Sequence, residues 1–383
     1  MRDFIGNEFK KLPGLVFSKD YSSIYNDLID FGIGDPDLSC HEKIIEKTFE
    51  AARDGFTHYN SSYGLEEFRK SFIDFYKEEY EIDLDLKNIC ASFSGSEAMF
   101  LILRSVINPG EEVIVPSPYF SPYLDAINLA HGKARFLETK FEDDFQINIY
   151  ELEKLINKNT KALIINTPNN PTGTSYSQEL LRKIYELARE RDILIICDDI
   201  YTLYSYEEKF SPMIKFDKNI ENVIAINSFS KDFLMTGFRL GAIIGPEKII
   251  RTLNYIHESI VYCLPAFIQI GGIYALKNRK KICPPYFEEY KNRILLAYQR
   301  LTNLKNVEVM KASGSFYIFP KIRVKGLTIE EIIDKLIKEA HVNVINGKVF
   351  GPGGEDHIRI AVNVNEDKIN EAFNRIEKID IFR

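Results

Sequence analysis

The sequence predicts an α/β fold: a large domain with a mostly parallel sheet flanked by helices, plus a smaller α+β domain. Three observations carry this expectation. The chain has 383 residues, about twice the usual single-domain length, so one large domain and at least one smaller one are expected. Its middle alternates short β-branched runs with amphipathic helical ones, an order that requires crossover connections and parallel strands. Beyond Gly245-Pro246 the pattern turns mainly helical, and a few strand-like pieces return near the end.

The elements follow in chain order. Residues 1–40 carry Pro, Gly and aromatics without periodicity and are expected to form an N-terminal arm and part of the small domain. Phe9, Phe17 and Tyr21 lie in this stretch, as a lid over a pocket or, more commonly for such aromatics, as packing on the core. Residues 41–282 are assigned to the large domain. Within it Glu111–Val115 ends at Pro116, Lys161–Asn166 at Thr167-Pro168, Ile193–Asp199 at an acidic pair and Asn222–Ser228 at a Ser-rich turn. Short apolar runs bounded by turn formers suit strands buried on both faces. Between two of them, Leu180, Leu181, Ile184, Leu187 and Ala188 share one helical face of Gln178–Arg191. A helix stop is expected near Cys283-Pro284-Pro285, and residues 283–383 are assigned to the small domain. There Tyr290, Ile294, Leu295, Tyr298 and Leu301 fall on one helical face, and Val307–Met310, Ser315–Phe319 and Ile358–Val364 read as strands.

Composition narrows the function classes. The chain is 45% hydrophobic and 27% charged, close to globular averages, with a formal net charge of −7. An acidic balance disfavours nucleic acid and anionic membrane as partners. No apolar run approaches the ~18 residues that a membrane span needs. The N-terminus has one basic residue and no apolar core, unlike a signal peptide. Five cysteines without a CxxC pair point to reduced thiols and a cytoplasmic protein. The six histidines show no ligand spacing such as HExxH, so no metal is expected.

In an open parallel sheet, ligands sit outside the carboxyl ends of the strands. Three of those ends are chemically dense: Asn166–Gly173 (Asn-Thr-Pro-Asn-Asn-Pro-Thr-Gly), Asp198-Asp-Ile-Tyr201 and Ser228-Phe-Ser-Lys231. Lys231 is flanked by Ser228 and Ser230 and followed by Arg239, a set suited to phosphate as well as to a surface turn. Upstream, Ser94-Gly-Ser-Glu-Ala98 opens a helical run whose free amides and dipole favour an anion; its plainer reading is a Ser-capped helix without ligand. A phosphate site beside a lysine, a carboxylate and an amide suggests a phosphorylated cofactor attached through the lysine.

Across residues 30 to 365 the chain resembles the class I/II aminotransferases, the fold-type-I family that uses pyridoxal 5′-phosphate. The resemblance rests on an ordered set of motifs. They are Gly34-Asp-Pro-Asp37, Tyr59 with Gly64-Leu-Glu-Glu-Phe-Arg69, Ser94-Gly-Ser-Glu-Ala98 and Pro118-Tyr119. Asn169-Asn-Pro-Thr-Gly173, Asp198-Asp-Ile-Tyr201, Ser228-Phe-Ser-Lys231 with Gly237-Phe-Arg-Leu-Gly241, Gly314-Ser-Phe-Tyr317 and Ile358-Arg-Ile360 follow. The resemblance implies that Lys231 holds the cofactor as an internal Schiff base and then serves as general acid/base. Asp198 would pair with the pyridine nitrogen, with Asp199 facing the other way, and Asn170 and Tyr201 would bond the phenolic oxygen. Tyr119 would stack on the ring; Gly95, Ser96, Ser228, Ser230 and Arg239 would hold the phosphate. Tyr59 would reach the phosphate of a second subunit, which implies a homodimer with shared active sites. Arg359, with Gly34 and Asn170, would grip the substrate's α-carboxylate.

The implied activity is transfer of the amino group of an L-amino acid to a 2-oxo acid, 2-oxoglutarate by family habit, in a ping-pong cycle. The runner-up keeps the cofactor and changes the outcome: a carbon–sulfur lyase, an aminocyclopropane-carboxylate-synthase-like enzyme or an oxidative enzyme on an amino acid. A ligand-sensing regulator leaves no room for its DNA-binding domain before residue 30. A nicotinamide enzyme lacks a GxGxxG opening a helix after a strand.

Overall fold

Seven short strands, five of them carrying two or more consecutive β-branched residues, make the centre of the molecule, which a computed structural model describes for residues 24–383. Phe9, Phe17 and Tyr21 lie outside the described residues. The strands are β1 (Ile89–Ser92), β2 (Glu112–Ser117), β3 (Lys133–Glu138), β4 (Thr160–Asn166), β5 (Leu194–Asp198), β6 (Val223–Ser228) and β7 (Gly241–Ile244). They stand in the order β1-β7-β6-β5-β4-β2-β3. Only β7 runs against its neighbours, β1 and β6, so the sheet is mostly parallel as expected. β5 and β6 are buried along their whole length, which explains runs without polar alternation. Pro116 does not end its strand: β2 continues to Ser117, paired with β3 at this end, beyond its last paired residue on β4, Ile114.

Helices cover both faces. Among them are α1 (Glu42–Arg53), α2 (Glu66–Tyr80), α3 (Ser94–Val106), α4 (Pro122–Leu129), α5 (Gln178–Glu190) and α6 (Glu247–Val261). The apolar face read from the sequence positions α5: Leu181, Ile184, Leu187 and Ala188 are buried, and Ser177 caps it by accepting from the Leu180 amide. No helix of the described residues is long and apolar enough to cross a membrane.

The expected stop at Pro284-Pro285 does not occur. α7 spans Ala266–Thr302 and carries both prolines inside it. Each proline removes a backbone hydrogen bond, but their adjacency confines the defect to one turn, and packing holds both sides of it. Ile282 and Cys283 are buried in the core of the large sheet, whereas Tyr290, Ile294, Ala297 and Leu301 belong to a second core. Leu295, expected on the buried face, is exposed; Arg293 and Ala297 take that side instead.

The second core gathers α8 (Ile329–Ala340), α9 (Glu366–Ile376) and the small sheet of β8 (Tyr317–Ile318), β9 (Ile345–Asn346) and β10 (Ile358–Ala361), in the order β8-β10-β9. Chain positions 29 and 30 join this part, since Ile29–Asp30 pairs in parallel with Val342–Asn343. The segment just after is tied down by an ion pair whose arginine is buried and whose carboxylates are partly exposed. Arg293 is 1% exposed and meets Asp37 through two nitrogens at 2.6 and 3.2 Å, with Glu289 at 2.8 Å. Removing Asp37 leaves the buried Arg293 charge with Glu289 alone. Asp37→Ala is expected to destabilise the protein by about 2 kcal/mol, read as a lower urea midpoint at unchanged slope.

Candidate active site

The carboxyl ends of β5 and β6, the first turns of α3 and α4 and Asp35 of the segment after Gly32 converge on one cavity of about 420 Å³. Lys231 reaches it from a single helical turn, Phe229–Asp232, that β6 leads into. Ser228 caps this turn by accepting from the Ser230 amide at 3.2 Å. The Lys231 Nζ donates to the Gly34 carbonyl at 2.6 Å. Burial pulls its ammonium down to about 8; neighbouring Asp35 works against the shift, and Arg359 and Arg239 add to it. A lysine so placed supplies a neutral amine at far lower pH than a surface lysine does.

Asp198 ends β5 and is 5% exposed. Tyr123 donates its hydroxyl to Asp198 Oδ2, while Oδ1 is buried and meets no donor. Burial pushes the carboxyl up to about 6, and the Tyr123 bond opposes this. Asp199 does not line the cavity. It too is buried, and burial together with Asp198 holds its carboxyl well above the usual range. Tyr201 lines the cavity at 2% exposure, with its hydroxyl 3.0 Å from that of Tyr317.

Opposite lies a cradle of donors. Gly95 and Ser96 stand in the first turn of α3, where backbone N–H groups lack intrahelical partners. Ser94 and Arg239 both take left-handed backbone conformations (φ 71° and 56°), a strain that accumulates at functional positions. The Arg239 guanidinium donates to Ser94 Oγ and to the Thr236 carbonyl. The Ser228 and Ser230 hydroxyls sit 3.0 Å apart on the same wall.

Arg359, on β10, is 2% exposed and held from two sides. One nitrogen donates to Asn170 Oδ1 at 3.1 Å, another to the Gly32 carbonyl, and Nε is buried without a partner. Its guanidinium lies over the rings of Tyr317 and Phe350, 4.7 and 4.9 Å from their centres. The Asn170 amide is fixed by Asn166 Oδ1 at 2.9 Å, so the loop after β4 aims the carbonyl that orients Arg359.

Five expected residues are not among those lining this cavity: beside it Gly34 accepts from Lys231 and Asn170 from Arg359, while Tyr119 and Tyr59 stand elsewhere. Tyr119 does not face the cavity: it stacks on Phe136 of β3, ring centres 5.2 Å apart, and its amide donates to the Phe350 carbonyl. Phe120 and Tyr123 line the cavity in its place. The sequence carried a signal for them: Pro122 marks the first turn of α4, and residues spaced i, i+3 about it share a side. Tyr59 is 84% exposed, packed edge-on to Tyr262 and away from the cavity of its own chain.

The residues fit pyridoxal phosphate. The cradle suits a phosphate, the unpartnered Asp198 oxygen suits a protonated ring nitrogen, and Lys231 suits a carbonyl. The hydroxyl of Tyr123 favours the ionised form of Asp198, so Tyr123→Phe is expected to lower kcat/KM about tenfold and move its acid limb up by about one pH unit. A pH–rate profile of the variant reads both.

A cavity at the carboxyl ends of a mostly parallel sheet, with a cradle of donors on one wall and a buried guanidinium beside it, is the site of an α/β enzyme. Among such enzymes, the chain belongs to the aminotransferase class I and II family, whose pattern matches residues 26–376. It is a transaminase. The chain is 36% identical over 360 residues to an aspartate aminotransferase of Pyrococcus horikoshii, covering 93% of this chain and 92% of the relative. It is 35% identical over 356 residues to aromatic-amino-acid aminotransferase 2 of Thermococcus litoralis, covering 92% and 91%. The crystal structure of an aromatic aminotransferase from Pyrococcus horikoshii superposes with a TM-score of 0.89 at 35% identity, covering 93% of this chain and 96% of that one. The Thermus thermophilus aspartate aminotransferase with maleate gives 0.87 at 27% identity, over 91% of each chain. These solved structures share the fold of a large, mostly parallel sheet between helices.

Proposed function

We propose that this transaminase uses pyridoxal 5′-phosphate to move the amino group of an L-amino acid to a 2-oxo acid, with 2-oxoglutarate as acceptor, in a ping-pong cycle. The unpartnered oxygen of Asp198 at the end of β5, in the same cavity as Lys231 just beyond β6, carries this reading. When bound, the cofactor supplies a carbonyl for the amino group and an electron sink for the substrate's Cα. Gly95, Ser96, Ser228, Ser230 and Arg239 hold its phosphate, and Asp198 keeps a proton on its ring nitrogen. Phe120 packs on the ring face. Tyr201 donates to the phenolic oxygen. With its amine free, Lys231 would take the proton from the substrate's Cα as general base and hold it for return as general acid. Arg359 grips the α-carboxylate, a group every amino acid shares, so it fixes Cα over Lys231 whatever the side chain.

The exposed Tyr59, Tyr255, Ile260 and Tyr262 mark the face on which a second copy docks, and Tyr59 then completes the partner's phosphate site. Five free cysteines support a cytoplasmic location. We place the boundary between the domains where α7 passes from one core to the other, at the proline pair.

The test is an absorption spectrum of the purified protein with added pyridoxal phosphate. A cofactor band should appear, change when amino acids are added, and return on adding a 2-oxo acid. Absence of any bound-cofactor band overturns the cofactor. Release of ammonia without return of the band overturns transamination in favour of lyase or oxidase chemistry.

A further inference from the structure

Tyr317 is a buried tyrosine with no part in the reading above, yet it touches three groups that have one. Its hydroxyl lies 3.0 Å from that of Tyr201, and the two rings meet edge-to-face with centres 5.7 Å apart. Its ring forms a floor under the Arg359 guanidinium, 4.7 Å from the ring centre. Its hydroxyl also packs on Gly34, where an added Cβ would fall 2.1 Å from it. Gly34 is the residue whose carbonyl holds Lys231. Tyr317 belongs to β8 of the small sheet, paired with Ala361, whereas Tyr201 follows β5 of the large one. The bond between the two hydroxyls therefore joins the two sheets at the active site.

Each phenol has one proton to give. Tyr201 is the hydrogen-bond partner that the described residues offer the Tyr317 hydroxyl. If Tyr201 spends its proton on Tyr317, it presents only lone pairs to the cavity. With the roles reversed, its proton faces the cavity, and accepting a bond on the same oxygen strengthens the one it donates. We propose that Tyr317 is a positioning residue: its hydroxyl donates to Tyr201, directing the Tyr201 proton to the cofactor's phenolic oxygen, while its ring holds Arg359 level for the α-carboxylate. The inference rests on the cofactor reading given above.

The two roles separate in two variants of the full-length protein. Tyr317→Phe keeps the ring and removes the hydroxyl at almost constant volume. It should lower kcat about tenfold with KM within twofold, and raise by about one unit the pH at which the bound cofactor's absorption changes. Tyr317→Leu should in addition weaken binding of the unreactive carboxylates maleate and 3-phenylpropanoate to the cofactor-free protein about tenfold, measured by calorimetry, because the floor under Arg359 is gone. Tyr317→Phe should leave that binding unchanged. In Tyr201→Phe the second change should have little further effect on kcat, since the hydroxyl then has nothing to direct. An unmoved absorption midpoint in Tyr317→Phe, or full additivity with Tyr201→Phe, overturns the inference. A wild-type protein with no bound-cofactor band overturns the functional reading instead. Should Tyr317→Leu fail to fold, the midpoint and the double-mutant comparison still decide.

Discussion

Lys231→Ala is expected to abolish turnover, by about 10⁴-fold or more, while leaving the protein at least as stable as before. The loss follows from removing both the amine that binds the cofactor and the base that reaches the substrate's Cα. The stability follows from burial. The Lys231 ammonium sits at about 8 in the fold, below its ordinary value of 10.5. The unfolded chain therefore binds more protons between those values, and native stability rises with pH across that window. Below pH 8 the fold bears the full cost of the buried amine, and alanine relieves it. Thermal melts should show Lys231→Ala gaining Tm over wild type at pH 7 and losing that advantage by pH 10.5. Sustained wild-type turnover would remove Lys231 from its assigned role; a large loss of Tm at pH 7 would show that its bond to Gly34 outweighs its burial.

Arg359→Ala is expected to lower kcat/KM by about 10²-fold or more for every amino donor, chiefly through KM, since a two-pronged charged contact to a shared group is lost. Arg359→Lys should recover only part of this, because an ammonium keeps the charge without the planar fork. Steady-state kinetics with one acidic, one aromatic and one aliphatic donor decide the matter. A loss confined to the acidic donor would make Arg359 a reader of the side chain.

How much of this was legible beforehand depended on the range of the interactions involved. β4, β5 and β6 were readable because strands buried on both faces must be continuously apolar, and the chemical residues stand directly at their ends. Asp198 ends β5, Lys231 stands three residues beyond β6 and the Ser94–Ser96 turn begins two residues beyond β1, so each inherits its place from a strand. Tyr119 and Phe120 are neighbours in sequence, and which of them faces the cavity turns on the entry into α4, where Phe120 falls on the side of Tyr123. The prolines at 284 and 285 carry a strong local stop signal, which packing against two cores overrides. Leu295 is not on the buried face expected for it, where Arg293 is buried instead and finds Asp37, a partner 256 residues away in sequence. The bond between Tyr201 and Tyr317 spans 116 residues and has no local signature at all.

The continuity of α7 imposes a condition of rotational phase. A helix turns by about 100° per residue, and α7 must present Ile282 and Cys283 to one core and, a few residues on, Tyr290 and Arg293 to the other. One residue added or lost between Cys283 and Tyr290 would leave each half helical but swing Arg293 a quarter-turn away from Asp37. The number of residues between the two cores is therefore fixed as firmly as any single side chain, even though most of those residues touch no substrate. A surface loop can absorb such a change in length; this stretch of rod cannot.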